Sequence, residues 1–346
     1  MKTTPLALLM AGLSFNALAI ENGTSVNWNN YDDMVKLYST DTIQTCSGTV
    51  ISGKFILTAA HCLTHENPMT QVKSATGHKL GIIAENTHPD YDVFNGNWHD
   101  VAVSELSQPI DAKSIHFFAD LTKDTVKEND TLRVFGFGET AEHLNYAKLT
   151  MINEVGGPQD RLDGKVLTNG AGEIIGGNTI GGDSGGAWLD NNNAIVATHK
   201  GGDWIGDADG NATRETYSTN LHYSRQFLLD TVNGWHYPTL ANTSNGTATI
   251  TVQSLHQNNV ADNATTSGDA QIIGGTCLDQ VINPYEKCTY IIESQGGIGT
   301  LHLSDNESIA INKPTPTPES GGGDSGGSLG FLSLIGLLGL GLIRKK

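Results

Sequence analysis

From Ile20 to about Tyr237 the chain alternates short β-type runs with Gly, Asn and Asp turns and shows almost no helical periodicity. That pattern confines the fold to an all-β barrel or sandwich, because runs of this length bury themselves only by pairing edge to edge. Thr49-Val50-Ile51, Phe55-Ile56-Leu57, Leu132-Arg133-Val134-Phe135 and Ala194-Ile195-Val196-Ala197 are examples. One helix is expected from about Tyr223 to Val232, where Phe227, Leu228 and Val232 share a face. A polar stretch from Ala241 to Gly246 then opens a second β-rich region ending near Asn312, with Thr247–Val252 and Cys288–Ile292 alternating as half-buried strands do. This region predicts a small C-terminal Ig-like β-sandwich, serving as a spacer or attachment module or else binding carbohydrate or protein. With 38% hydrophobic residues, the chain has enough apolar mass for both cores.

The two ends read as processing signals. Lys2, the apolar stretch from Pro5 to Leu13 and Ala17-Leu18-Ala19 form a signal peptide over 1–19, so the mature chain is expected to begin at Ile20. Export permits disulfides, and the four cysteines fall into two close pairs, Cys46 with Cys62 and Cys277 with Cys288. Neither pair has the spacing of a zinc or redox site. At the other end a Pro/Gly linker with a sorting site covers 313–328, followed by an apolar segment with a basic end, Arg344-Lys345-Lys346, over 329–346. The apolar run and its basic stop predict a transmembrane segment. The tail resembles the GlyGly-CTERM signal processed by rhomboid-type sortases in Gram-negative bacteria. That resemblance implies signal peptidase and a rhomboid-type sortase as processing partners, transient inner-membrane anchoring by the tail alone, and a final place between periplasm and cell surface or outside the cell. A formal charge of -17 argues against nucleic acid and anionic lipid as partners.

Three short motifs carry the chemistry: Leu57-Thr58-Ala59-Ala60-His61-Cys62, His99-Asp100-Val101-Ala102 and Gly182-Asp183-Ser184-Gly185-Gly186. Peptide hydrolysis needs a nucleophile, a base beside it and an acid that fixes the base's tautomer, and these motifs offer one of each. Their order and flanks resemble the chymotrypsin/trypsin family, as does the glycine-bracketed Val134-Phe135-Gly136-Phe137-Gly138. The resemblance covers about 20–240 and implies two antiparallel six-stranded barrels with the site in the cleft between them. It also implies Ser184 as nucleophile, His61 as general base, Asp100 as the orienting acid, and the N–H groups of Gly182 and Ser184 as the oxyanion hole. A Cys46–Cys62 bridge would pin the turn that presents His61. Protein or peptide substrates follow, with no cofactor.

The substrate pocket departs from the family pattern. Asn178 stands where trypsins carry an acid, Ile180 replaces a usual cysteine, and Thr179 lies between them. Either Glu215 replaces a wall glycine and projects into the pocket, or the alignment is off by one residue and Glu215 is solvated. Thr198-His199-Lys200-Gly201-Gly202 stands where Ser-Trp-Gly is usual. The preferred residue before the cut is therefore left open. By the same resemblance, cleavage after Ala19 would free an Ile20 ammonium to pair with Asp183, and the 41 positions from Ile20 to His61 match the family spacing. The remaining histidines are scattered and no HExxH occurs, so no metal site is expected. Asp207-Ala208-Asp209-Gly210-Asn211 resembles part of a calcium loop but misplaces its glycine, and a solvated turn is expected there. Two rivals to a peptidase are a degenerate protease fold used for binding and a surface module in which the sandwich is the working part.

Overall fold

The computed structural model describes residues 19–314, apart from 41–42, 65, 93–97, 141–142, 153–158 and 207–211. The signal segment through residue 18, the calcium-like loop at 207–211 and the tail beyond 314 lie outside the described residues. Six antiparallel strands close a first barrel. In spatial order they are Met34–Tyr38, Thr45–Ile51, Phe55–Thr58, Ala102–Leu106, Lys79–Thr87 and Gln71–Lys73. Val35, Leu37, Val50, Ile56, Val72 and Leu106 fill it.

A second closed barrel runs Thr131–Gly136, Leu144–Ile152, Arg161–Val166, Ala212–Asn220, Ile195–Gly206 and Ala187–Leu189, returning to Thr131–Gly136. Thr24–Val26 adds to the edge of Leu144–Ile152. The inner core includes Ile20, Val134, Leu149 and Trp188. A third cluster joins Met34, Ile51, Leu57, Val101 and Val103 of the first barrel to Phe135, Phe137, Leu189 and Ile195 of the second. This shared core fixes the seam over which the conspicuous motifs meet.

The expected helix forms over Arg225–Val232 and buries Leu228, Leu229 and Val232. Tyr223 and Ser224 belong to the preceding turn instead, and the helix stops at Asn233, whose left-handed backbone (φ 41°) ends the 3.6-residue repeat while its N–H still reaches Leu229 O.

Beyond the helix are two four-stranded sheets. One contains Trp235–His236, Thr247–Ser254, Lys287–Glu293 and Gln271–Gly274, and the other Leu240–Ala241, Ser308–Ile311, Gly299–His302 and Thr265–Gly268. They share a core of Ile250, Val252, Tyr290, Ile292, Leu301, Ile309 and Ile311, stapled by the Cys277–Cys288 disulfide. Buried Gln253 fastens these sheets to the barrels. Its Oε1 accepts the Phe118 N–H at 2.9 Å, and its Nε2 donates to Phe118 O and Tyr285 O, both at 2.9 Å. His236 makes a parallel link, accepting the Ser52 N–H and meeting His116 O. Gln253→Ala would leave one amide N–H and two carbonyls unpaired, so a loss of at least about 2 kcal/mol is expected in urea unfolding of the whole chain. An unchanged midpoint would show that the sheets hang free of the barrels.

Candidate active site

His61 and Asp100 meet because of strand register. Phe55–Thr58 pairs with Ala102–Leu106 so that Thr58 lies opposite Ala102, which sets the turn after one strand against the residues entering the other. His61 opens a one-turn helix, and the Cys46–Cys62 disulfide ties that helix to Thr45–Ile51. Asp100 is wholly buried. Its Oδ2 lies 2.7 Å from His61 Nδ1 and its Oδ1 accepts the His61 backbone N–H at 2.9 Å, so both carboxylate oxygens hold one residue. The ring is thereby fixed with Nδ1 toward the carboxylate and Nε2 on its far side.

Asp100 is itself positioned through its motif neighbour His99 by residues that lie outside the short motifs. His99 takes a left-handed backbone (φ 50°), and its N–H donates to Asp160 Oδ2 at 2.6 Å. Its ring stacks on His88 at 4.1 Å. Burial, with His99 beside it, holds the His88 imidazole down at about 4, so the His88 ring is neutral at ordinary pH. Asp160 is 61 residues from His99 in sequence, which is why spacing alone does not reveal it. Asp160→Ala is expected to lower kcat about 10- to 100-fold with little change in KM, since it loosens the turn that aims Asp100. Unchanged kcat would remove Asp160 from the machinery.

Ser184 lines the same cleft as His61, of about 430 Å3, together with Gly182, Thr45 and Glu139. Its loop is held by Ser47, whose N–H donates to Ser184 O at 2.7 Å and whose hydroxyl donates to Gly182 O at 2.9 Å. Gly182 has a φ of +92°, and a Cβ there would sit 2.1 Å from Gly138 O, so only glycine permits this turn. Among the described residues no acceptor engages the N–H of Gly182 or of Ser184.

Asp183 points the other way, into the protein. Its Oδ1 accepts the Gly138 N–H and its Oδ2 the Ile180 N–H, each at 2.8 Å. Burial pushes its carboxyl up to about 7, against the opposing pull of those two N–H groups and of the Lys36 ammonium. Lys36 is buried too, donates to Thr140 O, and is held below the ordinary lysine range chiefly by that burial. Ile20 is buried in the second barrel's core while still joined to Ala19. The next residue, Glu21, exchanges two backbone hydrogen bonds of 2.8 Å with Asn178.

Of the pocket candidates, the structure brings Asn178 and Thr179 together through a residue the sequence had not singled out. Arg214 Nε donates to Asn178 Oδ1 at 2.8 Å and its terminal nitrogen to Thr179 O at 3.1 Å. Glu215, next along the strand, leaves it on the opposite face, across from Lys165 and Asp203. The only advance sign of Arg214 was a cation beside Glu215 in a strand otherwise without charge. The half-buried Lys200 ammonium, at the position of the missing Ser-Trp-Gly, is pulled down by burial and partly restored by Asp100 and Asp160. Away from the cleft, ligand atoms of His88, Asp90 and His99 lie within 4.8 Å of one another, but His88 Nδ1 already accepts the Asp90 N–H. No described helix is long and apolar enough to cross a membrane.

Residues 20–224 match the trypsin family, and the chain belongs to it. A CLIP domain-containing serine protease of Anopheles gambiae is 29% identical over 113 residues, covering 30% of each chain. Ovochymase of Halocynthia roretzi is 28% identical over 116 residues, 30% of this chain and 7% of its own. The chain thus spans less than a third of the length of these curated relatives. Among solved structures, the secreted serine protease VesC of Vibrio cholerae aligns over 84% of this chain and 70% of its own, at 16% identity and a TM-score of 0.47. A mutant of human heparin binding protein aligns over 62% of this chain and 97% of its own, at 17% identity and a TM-score of 0.51. At that identity the last likeness concerns the fold alone.

Proposed function

We propose that the chain is an exported serine endopeptidase in which Ser184, His61 and Asp100 act as nucleophile, general base and orienting acid. The observation that carries this reading is the buried Asp100 carboxylate gripping His61 by two hydrogen bonds, with Ser184 in the same cleft of a trypsin-family double barrel. The Ser184 hydroxyl proton passes to His61 Nε2 as Oγ bonds to the peptide carbonyl carbon. Asp100 stabilises the imidazolium, and the carbonyl oxygen takes the unengaged N–H groups of Gly182 and Ser184. Collapse breaks the C–N bond, His61 returns the proton to the leaving amine, and water then repeats the sequence on the acyl-enzyme. Ser184→Ala should abolish peptide hydrolysis while leaving the unfolding midpoint in place, and wild-type turnover in a pure sample would defeat the assignment.

The same reading extends to maturation. Cleavage after Ala19 frees the Ile20 amine to pair with Asp183, supported by the burial of that carboxylate and by the docking of Glu21 on Asn178. We read 20–240 as the protease domain and 241–312, with its two sheets and shared core, as a small Ig-like sandwich. The tail at 313–346 is a linker, sorting site and membrane segment of the GlyGly-CTERM type, removed by a sortase after export. The two disulfides fit an oxidising, extracytoplasmic destination. A second role, as an attachment or binding module, is favoured for the sandwich by its exposed Ile273, Leu278, Val281 and Ile298.

A further inference from the structure

Where Asn178–Gly182 meets the paired strands Ile195–Gly206 and Ala212–Asn220, Arg214 is a cation with no direct counter-ion among the described residues; the Glu21 carboxylate is one amide away, accepting from Asn178 Nδ2 at 3.3 Å while Arg214 takes Asn178 Oδ1. Arg214 spends two of its N–H donors on neutral oxygens, Asn178 Oδ1 and Thr179 O, and no described carboxylate forms an ion pair with it. Its guanidinium lies against Gly202, where a Cβ would be 3.1 Å from a terminal nitrogen. A half-buried guanidinium held only by uncharged acceptors keeps spare donors and a desolvation cost that an anion would offset.

The surrounding groups share this bias. Pairing of His199 with Ser218, Gly202 with Thr216 and Trp204 with Arg214 sets His199, Ser218, Thr216 and Arg214 on one face of the hairpin. On that face His199 Nδ1, Thr216 Oγ1 and Ser218 Oγ are buried without a hydrogen-bond partner, and Thr179 Oγ1 is likewise unpartnered. Buried polar atoms are nearly always satisfied in native proteins, so a cluster of orphans on one face marks where a polar group would find partners. His199 connects this cluster to the chemistry. Burial holds its imidazole down at about 3, and both His61 and Arg214 lie close enough to depress it further. Its other ring nitrogen is bonded to the Tyr217 backbone, so the unpartnered Nδ1 is the atom left for a ligand.

Resting on the serine-endopeptidase reading, we propose that Arg214, with His199, Thr179 and Thr216, forms the primary specificity pocket for a carboxylate side chain, so that the enzyme cuts after acidic residues, above all glutamate. The oppositely directed Glu215 takes no part. The overall charge of -17 would repel acidic peptides at long range, so selection is local to the pocket.

The test uses the mature enzyme on peptides that differ only in the residue before the cut: Glu, Gln, Arg or Leu. Covalent labelling of Ser184 by a sulfonyl fluoride is run in parallel. We expect kcat/KM for Glu to exceed that for its uncharged isostere Gln by at least about tenfold, as a charge-assisted bidentate contact should. Arg214→Gln should bring the Glu-to-Gln ratio close to one, and Arg214→Lys should restore part of it. Labelled enzyme that prefers Arg, Leu or Gln, or an Arg214→Gln variant with an unaltered ratio, would overturn the proposal and leave the peptidase reading intact. If Arg214→Gln fails to fold, the wild-type ratio decides by itself. Absence of both labelling and hydrolysis would remove both.

Discussion

Asp100→Asn is expected to lower kcat about 10⁴-fold with the fold intact, a magnitude carried over from the worked serine-protease example to which this family belongs. The physical reason is visible in the contacts. Asp100 accepts from both the backbone N–H and Nδ1 of His61, so an amide that can donate as well as accept would let the ring take the opposite tautomer. The base would then present a proton to Ser184 where it should present a lone pair. Because Asp100 is wholly buried and nearly isosteric with asparagine, stability should change far less than activity. A loss of less than about tenfold would mean that His61 is oriented by something other than Asp100.

A chain that cannot be cut after Ala19 is expected to be at least about 100-fold less active than the mature form, since Asp183 would lack its ammonium and the loop carrying Gly182 and Ser184 its anchor. Leaving a buried charge unpaired in this way costs about 3–5 kcal/mol. The pH dependence of stability separates the two forms. In the uncut chain burial raises the Asp183 carboxyl to about 7. Its contribution to stability is therefore fully present below the ordinary carboxyl value and is lost as pH rises toward about 7 and beyond. In the cut chain the ammonium favours the ionised carboxylate, so the loss of stability as pH rises toward about 7 disappears. The amine, with a reference value of about 7.7–8.0, is raised by the pair, and stability and activity fall only as pH climbs through that raised value. Urea midpoints between pH 4 and 8 should thus fall for the uncut chain and hold for the cut one. Parallel curves would dismiss the pairing of Ile20 with Asp183.

The sequence disclosed what depends on local pattern. Alternation located strands such as Phe55–Thr58 and Thr131–Gly136, and cysteine spacing marked both disulfides. His61 and Asp100 stood out because each adjoins a strand of recognisable composition, and strand pairing then brought them together. What stayed hidden depends on long reach or broken register. Asp160 acts on His99 across 61 positions, and Arg214 reaches Asn178 with a long side chain from 36 positions away. The pocket wall contains a register shift between His199 and Gly201, so an alignment by residue type could not decide whether Glu215 faces inward. The first turn of the helix was misplaced for a similar reason, since Ser224 caps it without a side-chain bond to mark the start.

The central claim, that Ser184 is a nucleophile activated by His61, is tested most directly by mapping the adduct formed when the folded mature enzyme meets a sulfonyl fluoride. Mass spectrometry of the digested protein should find a single modification, on Ser184, whose formation stops in His61→Ala and parallels the loss of peptide hydrolysis. Modification elsewhere with hydrolysis gone, or undiminished hydrolysis with Ser184 fully modified, would contradict it.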